Sequence, residues 1–482
     1  MKKKLAMAML ALACVGCGHQ SAGFPDQAPA AGSSSGGGSS GGSGSEPSPT
    51  SFTRDCAWAV ASDPDLVNIA YPDTAAQYWS AIVPIPPGGE VVIEGEYPHA
   101  RYMSFNVYNP TLASFEGIAD AEIAPDAGSF NPFLPGAERY AEPRRYRLHV
   151  LAQPPPDDPA QRQANTLYSA FAPTPAAAYA NIIYRIYVSD RGTSLAGNVD
   201  LPTFRYLLPG GQELPGVEAC AFLEQARLGL GLNDRVAALN LQSVPLAMEA
   251  KEPLHWNSFV NAPISITTMA EGYTNPITVG LPIWDPIRQA FFATGLRGGF
   301  LSNRDNAYIS GTVNQAMGEI AVIASRMPKV PKTYENVPRM APAQLRYWSL
   351  CSNDAPSQRF WDCLYDEQIP QDAEGDYLIV VSRPEMRPAN ARPECGVAWL
   401  DWGPMASSLL ILRNMLPDPD FAQAIQNIPA MEGAEREVMG DYYPYGTHAS
   451  VAEFEALSAD PQGAADRCRV DAERLRERAR SG

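Results

Sequence analysis

Leu345-Arg-Tyr-Trp-Ser-Leu-Cys351, a polar loop that returns to Cys363, and then Gly375-Asp-Tyr-Leu-Ile-Val-Val381 form the stretch that decides the fold. Both flanks are rich in β-branched and aromatic residues, which suit a pleated, half-buried surface. A cysteine stands at each end of the loop. A weaker copy lies near residue 100, where Arg101-Tyr-Met-Ser-Phe-Asn-Val-Tyr108 has the same alternating character. The chain therefore reads as mainly β and built from a repeated unit.

Upstream, Gln77–Pro84, Glu90–Glu94, Arg145–Leu151 and Ile182–Val188 also read as strands. They are separated by turns such as Pro86-Pro-Gly-Gly89 and by two long insertions, Asp120–Arg139 and Pro154–Ala180. Proline (45) outnumbers glycine (38), which favours loops and short strands over long helices. Short strands with Pro/Gly turns predict sandwich-like packing.

Four echoes recur in the second half. Asp305-Asn-Ala-Tyr-Ile echoes Asp73–Trp79, and Gly318-Glu-Ile-Ala-Val-Ile echoes Gly89-Glu-Val-Val-Ile. Arg346-Tyr-Trp-Ser-Leu echoes Arg101-Tyr-Met-Ser-Phe, and Tyr377–Arg383 echoes Tyr184–Asp190. Each match is short, and any two β-rich segments give some matches. Their shared order points to duplication. Between the copies, Glu218–Leu228, Asp234–Leu241 and Trp284–Gly295 have helical patterns, the last with Pro286 in its first turn. The expected fold is two related β-sandwich-like halves, 54–215 and 301–460, with a helical region at 216–300. Pro419–Ile428 reads as a short helix, and Ala464–Arg480, within a tail at 461–482, as a charged one.

The first residues, Met-Lys-Lys-Lys, precede an apolar run from Leu5 to Val15 and then Gly16-Cys17. That is the pattern of an export signal, and the run is too short to span a bilayer as a helix. Its end resembles the lipobox of bacterial lipoproteins. The resemblance implies a signal at 1–17, cleavage before Cys17 and a lipid on that thiol, with Cys14 as the other candidate. Residues 18–53, almost pure Gly and Ser over Ser33–Ser45, would be a tether holding the folded part off the membrane.

Six cysteines follow: Cys56, Cys220, Cys351, Cys363, Cys395 and Cys468. An even number in an exported chain suggests disulfides, and six allow fifteen pairings. The short loop makes Cys351–Cys363 the first choice. Cys56–Cys220 and Cys395–Cys468 would tie the ends of the two halves. The formal charge is −17, and losing Lys2, Lys3 and Lys4 would make it −20, which argues against a nucleic-acid partner.

Chemistry-bearing motifs are sparse. No Gly-x-Ser-x-Gly elbow lies outside the Gly/Ser tether, and the sequence has no HExxH pair, no P-loop and no GxGxxG after a strand, so no metal or cofactor is expected. Asp372, Glu374 and Asp376 surround Gly375 and read either as a calcium loop or as an acidic turn. Asp401 lies between Trp399 and Trp402, where aromatic faces suit a sugar. It is the candidate catalytic acid, with the alternative that it caps a turn beside two core tryptophans. Arg101, Arg185, Arg346 and Arg413 interrupt apolar strands and need partners. They either pair with acids across the halves or line a cleft between them.

Arg346-Tyr-Trp-Ser-Leu-Cys, Asp376-Tyr-Leu-Ile-Val-Val-Ser, Arg387-Pro-Ala-Asn390, Gly396-Val-Ala-Trp399, Arg413-Asn-Met-Leu-Pro417 and Ile123–Phe133 resemble a group of uncharacterised exported bacterial proteins with paired β domains. The resemblance spans most of the chain after residue 65. It implies a β-sandwich arrangement and brings no reaction with it. The expected protein is a lipid-anchored, extracytoplasmic envelope protein that binds a small molecule or glycan, or acts as a scaffold. Its ligand cleft would be lined by Arg101, Arg346, Trp399, Trp402 and Arg413. The alternative is a cofactor-free hydrolase of a glycan or ester, using Asp401.

Overall fold

The structure is a computed structural model that describes residues 58, 60–62, 70–86, 88–108, 114–169, 179–214, 250–258, 301–355, 357–429, 433–471 and 473–480. All of them belong to one unit, Pro49–Gly482. The described part is mainly β and contains four sheets.

In the first half, β1 (Val60–Ser62), β2 (Ala76–Pro84), β8 (Tyr179–Ser189), β4 (Ala100–Tyr108) and β5 (Ser114–Ala119) lie side by side in that order. A second sheet runs β10 (Glu213–Leu214), β9 (Thr203–Leu207), β3 (Glu90–Glu96), β6 (Arg145–Leu151) and β7 (Thr166–Tyr168). In the second half, β11 (Trp256–Ser258), β12 (Asn306–Asn314), β18 (Ser407–Pro417), β14 (Leu345–Asp354) and β15 (Arg359–Tyr365) form one sheet. The other contains β17 (Ala398–Asp401), β16 (Asp376–Ser382), β13 (Ile320–Arg326) and β19 (Tyr445–Ala449). Adding ten to a first-half strand number gives its second-half counterpart. Among the described strands only β10 has none. Even the parallel pairs agree: β6 with β7, and β16 with β17.

Each half closes its own core between its two sheets. Trp79, Phe105 and Tyr184 meet Val91, Leu148 and Tyr206 in the first. Ile309, Leu350 and Leu412 meet Ala321, Ile379 and Val381 in the second. The side-chain period of two in a strand makes this possible, because alternate residues reach the core. The outer faces differ. In the first half Arg147 and Arg205 converge on Glu94 in a solvated ion-pair network. In the second half the outer face of β13 and β16 is apolar. After a first short helix, α1 (Glu435–Met439), Phe454 of α2 (Val451–Glu455) covers it together with Ala391 and Val397.

The structure corrects several expectations. The polar loop between Cys351 and Cys363 is mostly sheet, since β14 runs on to Asp354 and β15 starts at Arg359. Tyr377–Arg383 is the counterpart of β6, not of β8: Tyr146 and Tyr377 both sit one strand position from the equivalent pairs Glu94–Arg147 and Ala324–Leu378. The counterpart of β8 is β18, which carries Arg413 where β8 carries Arg185. The Gly89/Gly318 echo slips by one, because Val91 and Ile93 take the core places of Ala321 and Ile323. In a strand such a slip would exchange the two faces. Pro419–Ile428 holds only a 3-10 turn at Ile425–Asn427, and the tail splits into α3 (Ala465–Cys468) and α4 (Glu473–Arg480). Trp256–Ser258, inside the region expected to be helical, is a strand. The three helical patterns, the lipobox, the tether, Cys56 and Cys220 lie outside the described residues.

Candidate functional site

The four strand arginines meet at the seam between the halves. Arg101 is fully buried on β4, and its Nη1 donates to both oxygens of Asp366 at 2.8 and 2.7 Å. Its Nε donates to Thr333 Oγ1 at 3.1 Å, and its Nη2 reaches Glu367. Arg346 holds the matching place on β14 and donates from Nη1 to Asp120 Oδ1 at 3.2 Å. Asp120 opens the 3-10 turn after β5, and Asp366 opens the one after β15. Each carboxylate also accepts a backbone amide of its own half, from Met103 and Trp348 respectively. Burial pushes the Asp120 carboxyl up to about 6, against the downward pull of Arg346 and the amides.

A second reciprocal set lies beside the first. Arg413 Nη2 donates to the carbonyl of Tyr71 at 2.6 Å, and Arg185 Nη2 donates to the carbonyl of Leu301 at 2.5 Å. Tyr71 and Leu301 both have φ of +54°, in the left-handed region. That backbone turns each carbonyl toward the opposite half. Tyr347 donates its hydroxyl to Asp73 at 2.8 Å, and Tyr102 donates to Asn303 at 3.1 Å. Asp73 also accepts from Ser349 Oγ at 2.6 Å and lies 3.4 Å from Arg413 Nη1. Arg101, Arg346 and Arg413 are thus partnered across the seam.

Asp73 lies with Cys351 and Cys363 such that their ligand atoms fall within 4.8 Å of one another. Both sulfurs are joined in a disulfide across β14 and β15, so no thiolate is available there for a metal. A second disulfide joins Cys395 to Cys468.

The remaining sequence candidates separate. Trp402 is fully buried in the second core. Trp399 faces away from that core; its Nε1 donates to Ser382 Oγ at 2.9 Å, and Arg387 lies over its ring. Asp401 is half-buried, and its Oδ1 accepts the amide of Gly403 at 2.8 Å. The carboxylate therefore caps a turn. Asp362 lies alongside and accepts the amides of Asp401 and Cys363 at 3.0 and 2.9 Å. Burial pushes the Asp362 carboxyl up, those amides pull it partly back, and the charge of Asp401 adds to the rise. Asp372 Oδ1 accepts the amides of Glu374 and Asp376, so the sequence Asp372–Asp376 forms an acidic turn closed on itself.

A cavity of about 490 Å³ opens where the C-terminal tail crosses the second half. It is lined by Gln371, Asp372 and Asp376 together with Arg469, Asp471, Glu477 and Arg480 of the tail, and by Cys395 and Gly396. Its volume is in the range of small-ligand sites. The Cys395–Cys468 disulfide fastens the tail that builds it. Among the described residues nothing equivalent covers the first half, where the corresponding sheet face carries the Glu94 network. Nearby, His448 Nδ1 pairs with Glu252 at 2.8 Å while Nε2 accepts the Asn314 amide at 3.3 Å, so this buried imidazole is held at both nitrogens.

Sequence reading found the arginines and missed their partners. A signal existed: Asp120-Ala-Glu-Ile-Ala-Pro-Asp126 matches Asp366-Glu-Gln-Ile-Pro-Gln-Asp372 at both aspartates and the isoleucine.

No family model and no curated protein matches this chain. Among solved structures, it is similar to an uncharacterised protein from Burkholderia cenocepacia at 12% identity and a TM-score of 0.39, covering 76% of this chain and 80% of that one. It is also similar to the VPA0106 protein from Vibrio parahaemolyticus at 11% identity and a TM-score of 0.36, covering 79% of this chain and 90% of that one.

Proposed function

We propose that this chain is an exported binding protein, held at a membrane by a lipid on Cys17, and that its ligand site is the cavity under the C-terminal tail. The observation that carries the reading is that cavity of about 490 Å³ with its mixed acidic and basic wall. The seam between the halves is a poorer place for a ligand, because Arg101 and Arg413 are buried and bonded to protein groups. Two disulfides fit an oxidising, extracytoplasmic setting. The wall contains Arg469 and Arg480 beside Asp471 and Glu477, which suits a small polar ligand carrying charge of both signs. The full chain, purified from its own envelope, is to be weighed by native mass spectrometry before and after denaturation. A bound species of defined mass that is lost on Arg469→Ala with Asp471→Ala supports the reading. A bound species unaffected by that change places the site elsewhere, and the absence of any adduct counts against a binding role.

One observation favours a second reading, a cofactor-free hydrolase. Asp362, whose carboxyl is pushed up by burial, lies beside Asp401, and two neighbouring carboxylates can divide acid and base roles. Here Asp362, rather than Asp401, would be the proton donor. Hydrolysis of a glycan or ester in a substrate screen, abolished by Asp362→Asn, would establish it.

A further inference from the structure

We infer that the seam is a self-complementary interface, and that the partner it fits, besides the other half of the same chain, is a half supplied by a second copy of this chain. The surface is isologous in the sense used for two-fold dimers: residue i meets residue j, and the counterpart of j meets the counterpart of i. Arg101 meets Asp366, and Arg346 meets Asp120. Arg185 meets the Leu301 carbonyl, and Arg413 meets the Tyr71 carbonyl. The matched strand order of the two halves extends this relationship through both sheets of each half.

Two further features permit exchange. Each half owns its apolar core, so changing the chain that supplies the neighbour leaves both cores intact. Met340, which packs against the first-half core from the second half, is part of the surface that would move with its own half. In sequence, Leu214 and Ala250 are separated by 35 residues, 215–249. The closure cost of a connection rises only slowly with its length, so a join of this size does not force the halves of one chain together. A join within one chain gives its two ends an effective concentration of roughly millimolar at best. The cis arrangement therefore prevails in dilute solution, and exchanged pairs form when chains fold together at high concentration. No covalent step is involved.

Complementary charge reversal tests this on full chains. One variant carries Asp120→Arg and the other Arg346→Asp. Each alone sets like charges against each other at the seam. In a swapped heterodimer, one seam joins Arg at 120 to Asp at 346, and the other is wild type. The expected result is that co-refolding yields a heterodimer of twice the monomer mass whose melting temperature recovers toward wild type. Two separate monomers, each keeping its own depressed melting temperature, would overturn the inference. Should neither variant fold alone, a wild-type chain with a protease site placed within 215–249 provides the second measurement. After cleavage, the fragments are expected to remain one particle, and to exchange between isotopically heavy and light batches in mild denaturant. Fragments that separate on cleavage, or that never exchange, contradict it.

Discussion

Arg101 Nη1 lies 2.7 Å from Asp366 Oδ2 across the seam, with both side chains fully buried. Taking two charges out of water is costly, and such a pair holds only when hydrogen bonds satisfy the rest of each group. Here Thr333 and Glu367 complete the guanidinium, and the Trp348 amide completes the carboxylate. The arginine of one half and the aspartate of the other are thus complementary parts of one fastening, repeated by Arg346 and Asp120.

Asp73 is the most heavily engaged carboxylate of the second set. Asp73→Ala leaves Arg413 without its nearest negative charge, and the hydroxyls of Tyr347 and Ser349 without acceptors. A loss of ~3–5 kcal/mol in unfolding free energy is expected. Denaturant unfolding of the variant against wild type measures it.

Asp120 gives the seam a distinct pH signature. Its folded pKa, about 6, is raised above the ordinary 3.8, so the folded state binds this proton more tightly than the unfolded state does. The sign follows: the contribution of this group to stability increases as pH falls from about 6 to about 4, and is least favourable above 6. The stability of wild type relative to Asp120→Asn is expected to rise across that window by up to ~3 kcal/mol. Unfolding of both proteins at several pH values checks the direction; a falling difference would show that Arg346 outweighs burial.

Gly403 has φ of +84°, and a Cβ there would sit 2.3 Å from Trp361 Cδ1. Gly403→Ala combines left-handed backbone strain with a clash, so a loss of ~2 kcal/mol or more is expected. The same change would displace the turn that Asp401 caps. Thermal unfolding and tryptophan fluorescence report both effects.

The two described disulfides close loops of different length, with sequence separations of 12 and 73. Chain-entropy reasoning gives ~3 kcal/mol for the shorter and ~4 kcal/mol for the longer. Cys395→Ser with Cys468→Ser should therefore destabilise more than Cys351→Ser with Cys363→Ser, and should also loosen the tail over the cavity. Hydrogen exchange at residues 465–480 distinguishes local loosening from global loss.

Much of the strand content was legible because alternation and β-branched composition report burial of one face. Arg145–Leu151 matches its strand at both ends. The edge strands β5, β7 and β10, and β9 beside β10, were not found, since short strands at or near a sheet edge carry weak patterns and depend on their neighbours. Duplication was visible at Arg101 and Arg346, where polar and apolar residues alternate in the same way. It was misaligned at Tyr377, because apolar strands resemble one another more than they resemble their true counterparts. The arginines were legible as charges in apolar strands. Their partners were not, because Asp120 and Asp366 lie 226 and 265 residues away in sequence from the arginines they bind.

The most direct test of the reciprocal seam is a pair of double-mutant cycles, Arg101→Met with Asp366→Leu and Arg346→Met with Asp120→Leu, read by denaturant unfolding. The account predicts coupling of ~1 kcal/mol or more in both cycles, larger for the fully buried Arg101–Asp366 pair. Coupling below ~0.5 kcal/mol in both would contradict it.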